Sequence, residues 1–193
     1  MNELMPVVAG FLLTTVLGGV LGFFFQRRAW AHQHRVQTRD RDRERAVMVF
    51  EEVSRLLDKR LYRLRLLYWS LAGETGTRSA KSETRMEGYR QVLFEWNDSI
   101  NRNLALIQQY FGVELRDRFD NRIGADFVTL GKAVEAMWNG RADGEPIDDT
   151  RLNTLADQVY AYNLDMLQAI QTGTVGITGS GLPASARGGR AGG

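Results

Sequence analysis

The chain of 193 residues contains no cysteine, only two histidines and three prolines, and its lysines are confined to Lys59, Lys81 and Lys132. The missing thiols exclude disulfides, thiolate nucleophiles and cysteine-ligated zinc, and they suit a reducing compartment. His32 and His34 stand two residues apart, which on a helix turns them about 200° away from each other, so one chain cannot chelate an ion with both. Glutamates such as Glu51, Glu52 and Glu95 have no Glu-x-x-His partner, the pattern a di-iron bundle requires. Gly-rich phosphate loops, nucleophile elbows and nucleophile–base pairs are also missing, so the expectation is a non-enzyme with no catalytic residue, metal or cofactor. With so little lysine, the basic charge is carried by arginine, which favours planar partners such as carboxylate and phosphate; a codon bias would give the same count.

Charge is also missing from Met5 to Phe25, a run of 21 residues of which twelve are Val, Leu or Phe. As a helix this run is roughly 31 Å long, and a bilayer core is about 30 Å thick, so one transmembrane helix is expected. Summed insertion energies reach about −5 kcal/mol before the glycines, threonines and Pro6 subtract from it. A cleaved signal peptide is the rival, but no basic residue precedes the run, and the small-x-small triplet Ala29-Trp30-Ala31 lies behind Arg27 and Arg28. The same asymmetry orients the helix: only Glu3 precedes it, while Arg27, Arg28, Arg35 and Arg39 follow. The expectation is a single-pass protein of a cell inner membrane, N-terminus out, C-terminal domain cytoplasmic, with Arg27, Arg28 and Trp30 as interfacial anchors against membrane lipid. Gly10, Thr14, Gly18 and Gly22 recur every four residues and form a ridge suited to membrane-helix packing.

Neither glycine nor proline occurs between Gly22 and Gly73, so the membrane helix has no signal to stop as it leaves the bilayer. Residues 26–45 read as an Arg-rich juxtamembrane stalk. Arg35, Arg39 and Arg43 share one of its faces and form a candidate basic contact surface, whereas only the first arginines stand within a Debye length, about 8 to 10 Å, of anionic lipid. The bland account is a self-neutralised stalk paired as Arg39 with Asp42, Asp40 with Arg43, Arg41 with Glu44 and Asp42 with Arg45. These interleaved acids also make nucleic acid an unlikely partner.

Four apolar stripes at helical spacing follow. The first is Val47, Phe50, Leu57, Leu61, Leu64, Tyr68 and Leu71, with Ser54 in a polar slot; the second is Met86, Tyr89, Leu93, Trp96, Ile100, Asn103, Ile107 and Phe111. The third runs Leu115, Phe119, Ile123, Phe127, Leu130, Val134 and Met137, and the fourth Leu152, Leu155, Val159, Tyr162, Met166 and Ile170. Thr84 with Glu87 reads as a capping box for the second helix, and Asp148 or Asp149 as the cap of the fourth. Gly112 is a turn or a kink, Asn139-Gly140 closes the third helix, and Asp98 with Arg102 makes a four-residue ion pair. Asn103 is a candidate buried register residue inside an apolar seam; the alternative is an exposed amide beside a slightly rotated stripe.

The fold class expected is therefore all-α: one N-terminal transmembrane helix continuing into a cytosolic antiparallel bundle of about four helices. Its parts are a short external N-terminus (1–4), the membrane helix (5–25), the stalk (26–45), the bundle (46–172) and a flexible Gly/Ser/Arg tail (173–193) with almost nothing to bury. The leading functional expectation is a membrane-anchored helical module that binds a protein partner or forms a homo-oligomer. The alternatives are a small oligomeric membrane-perturbing or pore-type effector and a ligand-sensing bundle.

Overall fold

The computed structural model describes residues 4–74, 78–141 and 147–176; within the helix at 4–22 and 24–36 it describes the backbone and not the side chains. Helix α1 spans Leu4–Ala72, α2 Ala80–Phe111, α3 Val113–Arg118, α4 Ala125–Trp138 and α5 Asp149–Thr172, with a π-helical segment at Phe119–Gly124 between α3 and α4. No strand occurs among the described residues, and the class is all-α. The expected transmembrane run, the ridge Gly10, Thr14, Gly18 and Gly22, and the anchors Arg27, Arg28 and Trp30 lie on helical backbone, but their side chains lie outside the described residues. Among the described residues no helix is long and apolar enough to cross a membrane.

Contacts divide the chain into two units, Met1–Arg41 and Asp42–Gly193. In the first, the described side chains Phe23 and Gln37 to Arg41 are exposed. The second is the bundle. Its helices alternate in direction, as their cross-links show. Arg85 of α2 donates to the Leu66 carbonyl of α1 while Arg102 reaches Glu52, and on the other side Arg65 reaches Asn153 while Ser54 reaches Asn163 of α5. α3, the π segment and α4 continue as one rod, because Arg118 and Gly124 at the junctions keep right-handed helical angles.

The fourth stripe is borne out residue for residue, since all six of its members are buried in α5. The first is borne out in its middle and shares the core with a second line. Leu57, Leu61 and Leu64 of the expected stripe are buried, but Val47, Phe50, Tyr68 and Leu71 are only partly covered, and a second buried line runs through Ala46, Val49, Val53, Leu56, Arg60, Leu64 and Leu67. The reason is that α1 packs on two sides, with α2 on one and α5 on the other, so the most buried line runs between the two flanking rows. A strict three-four repeat passing through a charged residue was not an apolar stripe to the eye.

The third stripe contains an anomaly. Leu115, Phe119, Ile123 and Phe127 are spaced by four three times in succession, and a 3.6-residue helix drifts about 40° per such step. The π segment widens the turn at that place and keeps Phe119, Ile123 and Phe127 buried together.

Caps differ in part from expectation. α2 begins four residues before the expected Thr84, because Ser79 caps it by accepting from the Ser82 amide, and Thr84 instead bonds back to the Ala80 carbonyl. Asp148 caps α5 through the Arg151 amide at 2.8 Å. Gly112, with φ 92°, ends α2 and starts α3, and Gly140, with φ 66°, follows α4 as expected for a glycine beyond a helix C-terminus. Arg102 pairs with Glu52 of α1 rather than with Asp98. Asp42 and Arg45 do not come within ion-pair distance.

The tail was expected to bury almost nothing from Gly173 on. In the structure Val175 is 7% exposed and joins the core, and the Gly176 amide donates to the Tyr110 carbonyl at 3.0 Å. One valine next to a left-handed Gly173 is enough to fold the chain back onto α2. Residues 177–193 lie outside the described residues.

Candidate functional site

Two places in the bundle carry polar chemistry where an apolar core would be simpler. The first is Arg60, the one cation among the described residues that the α1 repeat drives inward; it is 5% exposed. Its guanidinium lies over Trp96 at 4.5 Å and over Phe127 at 4.7 Å, one ring from α2 and one from α4. Trp96 itself stacks on Phe119 with centroids 5.2 Å apart. No carboxylate pairs with Arg60 among the described residues, and its Nε has no partner. Burial pulls the guanidinium below its usual range, and the Tyr89 hydroxyl beside it acts in the opposite sense. Burial pushes the Tyr89 phenol up.

Aromatic faces are worth about 2 kcal/mol to a desolvated cation, which offsets only part of the cost of burying it. Such a group binds α1, α2 and α4 in one register. Tyr89 is held just as tightly: a Cβ on Gly131 would fall 2.5 Å from its hydroxyl, so only glycine leaves room for that oxygen.

The second place is a groove of about 370 Å³ between α1 and α2, lined by Arg45, Met48, Val49, Glu52, Arg102, Asn103, Leu106 and Tyr110. The candidate register residue Asn103 is 3% exposed, which decides for the buried alternative. Its amide makes no hydrogen bond to a described residue. Below the groove α1 and α2 are laced by ions: Arg55 bridges Glu52 at 3.1 Å and Glu95 at 3.0 Å, and Lys59 also holds Glu95. The Lys59 contact, then Arg55, pulls the Glu95 carboxyl below its ordinary range. A smaller hollow of about 120 Å³ lies between α4 and α5 beside Asp126, Leu130, Arg151, Thr154 and Leu155.

Of the other residues singled out in the sequence, Arg39 and Arg43 are exposed, and the side chain of Arg35 lies outside the described residues. No group of three or more acidic or histidine side chains is placed to hold a metal among the described residues. Sequence reasoning missed Arg60, and the available signal was the three-four repeat from Ala46 to Leu67 with one arginine in it. Comparison with protein-family models, with curated proteins and with solved structures gives no match to this chain.

Proposed function

We propose that this is a non-enzymatic, single-pass membrane-anchored helical module, N-terminus out, whose cytoplasmic bundle binds a protein partner or a second copy of itself. The anchor rests on the uncharged run from Met5 to Phe25 and the arginines that follow it. The observation that supports a partner is on α5. Tyr160, Leu164 and Leu167 are 66%, 45% and 37% exposed and recur at four and three residues, while the opposite face of the same helix fills the core. An apolar stripe of this kind on an otherwise well-packed helix is the usual mark of an interaction surface.

Because the chain has no cysteine, one introduced thiol reports one position. In membranes, Leu164→Cys is expected to crosslink to a polypeptide in a defined band, and Lys132→Cys on α4 is expected not to. Equal crosslinking from both positions, or none from either, would overturn the partner reading. A second reading, a ligand-sensing bundle, is favoured by the groove around Asn103.

A further inference from the structure

We infer that the outer face shared by α1 and α5 docks a cationic amphipathic helix of a partner protein, seated on Tyr62, Trp69, Tyr160, Leu164 and Leu167 and paired with the carboxylates of Glu51, Asp58 and Asp157. This rests on the reading of α5 as a partner surface and gives that partner a chemical class.

The face is laid out around one hydrogen bond between the two helices, from Ser54 to Asn163 at 3.0 Å. Residues three or four apart on a helix are surface neighbours, so Glu51 and Asp58 flank Ser54 on α1, while Tyr160 and Leu167 flank Asn163 on α5. The helices run antiparallel, as the contacts of Arg65 with Asn153 and of Trp69 with Asp149, both 2.8 Å, also require. Asp58 therefore stands level with Tyr160, and Glu51 level with Leu167. Tyr62 follows Asp58 by four residues and Trp69 follows Tyr62 by seven, which keeps both aromatics on the same side of α1. They are 59% and 50% exposed, and at about 100° per residue Trp69 stands opposite the inward Arg60. Two adjacent helices leave a furrow along their common outer side, and a third helix fills it with apolar anchors at i, i+3, i+4 and i+7.

Charge then selects the partner. Glu51, Asp58 and Asp157 are exposed and make no ion pair among the described residues. The cations beside them are engaged elsewhere: Arg55 holds Glu52 and Glu95, and Arg65 donates to the Leu152 carbonyl and to Asn153. Partial burial pushes the Asp58 carboxyl above its usual range, and a cation placed beside it would reverse that. The field over the face is negative, which disfavours an anionic lipid surface or nucleic acid. A second copy docked through the same face would set carboxylate against carboxylate. An apolar stripe flanked by lysine or arginine meets both the aromatics and the acids.

The test uses the full chain in phosphatidylcholine nanodiscs and a helical peptide of about eighteen residues, matching the roughly 27 Å from Glu51 to Trp69. The peptide carries leucine on one face, one of them as a diazirine analogue, and lysine on the other, and labelled positions are mapped on the protein. Labelling is expected at Tyr62, Tyr160 and Leu164, and it should fall as salt is raised. A peptide with glutamate in place of lysine should label these positions roughly eightfold less, about twofold for each of three exposed ion pairs. The chain carrying Glu51→Gln, Asp58→Asn and Asp157→Asn should lose labelling by the lysine peptide by about the same factor with an unchanged thermal melt, since all three side chains are exposed. Equal labelling by the two peptides, or of the native and triply substituted chains, would overturn the cationic class while leaving the α5 partner surface in place. A Leu164→Cys crosslink joining two copies of the chain would overturn the inference in favour of self-association. Labelling confined to other faces would overturn it as well, and if Leu164→Cys then also crosslinks to nothing, the partner reading falls with it.

Discussion

At Arg60 a guanidinium is held between two aromatic rings and next to a tyrosine whose own hydroxyl occupies the space a Cβ on Gly131 would need. These contacts make Tyr89 and Gly131 energetically coupled. Gly131→Ala should gain up to about 1 kcal/mol of helix propensity and lose about 1–3 kcal/mol to the clash, for a net loss. In a Tyr89→Phe background the clash is gone and the alanine should be neutral or stabilising, so urea melts of the four proteins should give a coupling of at least about 1 kcal/mol. Additive effects would mean that Tyr89 moves aside freely. Tyr162 is another buried phenol, and its oxygen has no partner, so Tyr162→Phe should stabilise by about 1 kcal/mol. Burial raises both phenols above their ordinary value of 10.0. The folded chain therefore keeps protons that the unfolded chain releases, and the stability they contribute is whole below pH 10 and declines as pH rises above it. Melts at rising alkaline pH should show that decline, and Tyr162→Phe should make it shallower; an unchanged slope would place the alkaline sensitivity elsewhere.

At the scale of the element, the α3–α4 rod shows how an irregular helix can be encoded by spacing alone. Three successive four-residue steps from Leu115 to Phe127 do not fit an α-helix, and the π turn absorbs the surplus. Deleting the exposed Asn121 should return the segment to α-helical geometry and keep Phe127, Leu130 and Val134 facing the core, since the residue removed is the surplus one that the π turn absorbs. The expected result is a retained cooperative melt; a loss of several kcal/mol or of cooperative folding, as for multi-residue core disruptions, would mean that the π turn is not what sets the phase. Legibility followed the same logic. α5 was readable in full because its stripe is apolar throughout and packs on one side. α1 was readable in extent and end, at Ala72 and Gly73, and in phase at Leu57, Leu61 and Leu64, but its second buried line was not, because a charged Arg60 occupies a core slot that pattern reading reserves for apolar side chains. Ser79 could not outcompete Thr84 as a cap on sequence pattern, since its role depends on Glu74, which accepts from the Ser79 hydroxyl and amide across the turn. Asn103 was legible as a polar member of an apolar seam with its burial left open; the groove it lines was not legible, because a groove is made by two helices and a stripe describes one.

For the whole molecule, every residue of the buried core cluster lies between Ala46 and Val175, and all of it belongs to the unit that begins at Asp42. A core complete within one contiguous stretch needs no other part of the chain to bury it, so a fragment from Asp42 to Gly176 should fold in aqueous buffer as a cooperative helical domain. The boundary is what gives this prediction its content. Composition alone ends the domain at Thr172, ahead of glycine-rich sequence, whereas the structure carries the fold four residues further. Val175 is then almost fully covered, the Gly176 amide bonds to the Tyr110 carbonyl, and a Cβ at Gly176 would come within 3.2 Å of the Asp42 side chain. The fragment ending at Gly176 should therefore resist urea better than one ending at Thr172, at the same denaturant slope. Val175→Ala in the longer fragment should recover most of the difference, because the valine is the only apolar side chain those four residues contribute. Equal midpoints for the two fragments would mean that Val175 lies on the bundle without holding it, and that the domain ends where α5 ends.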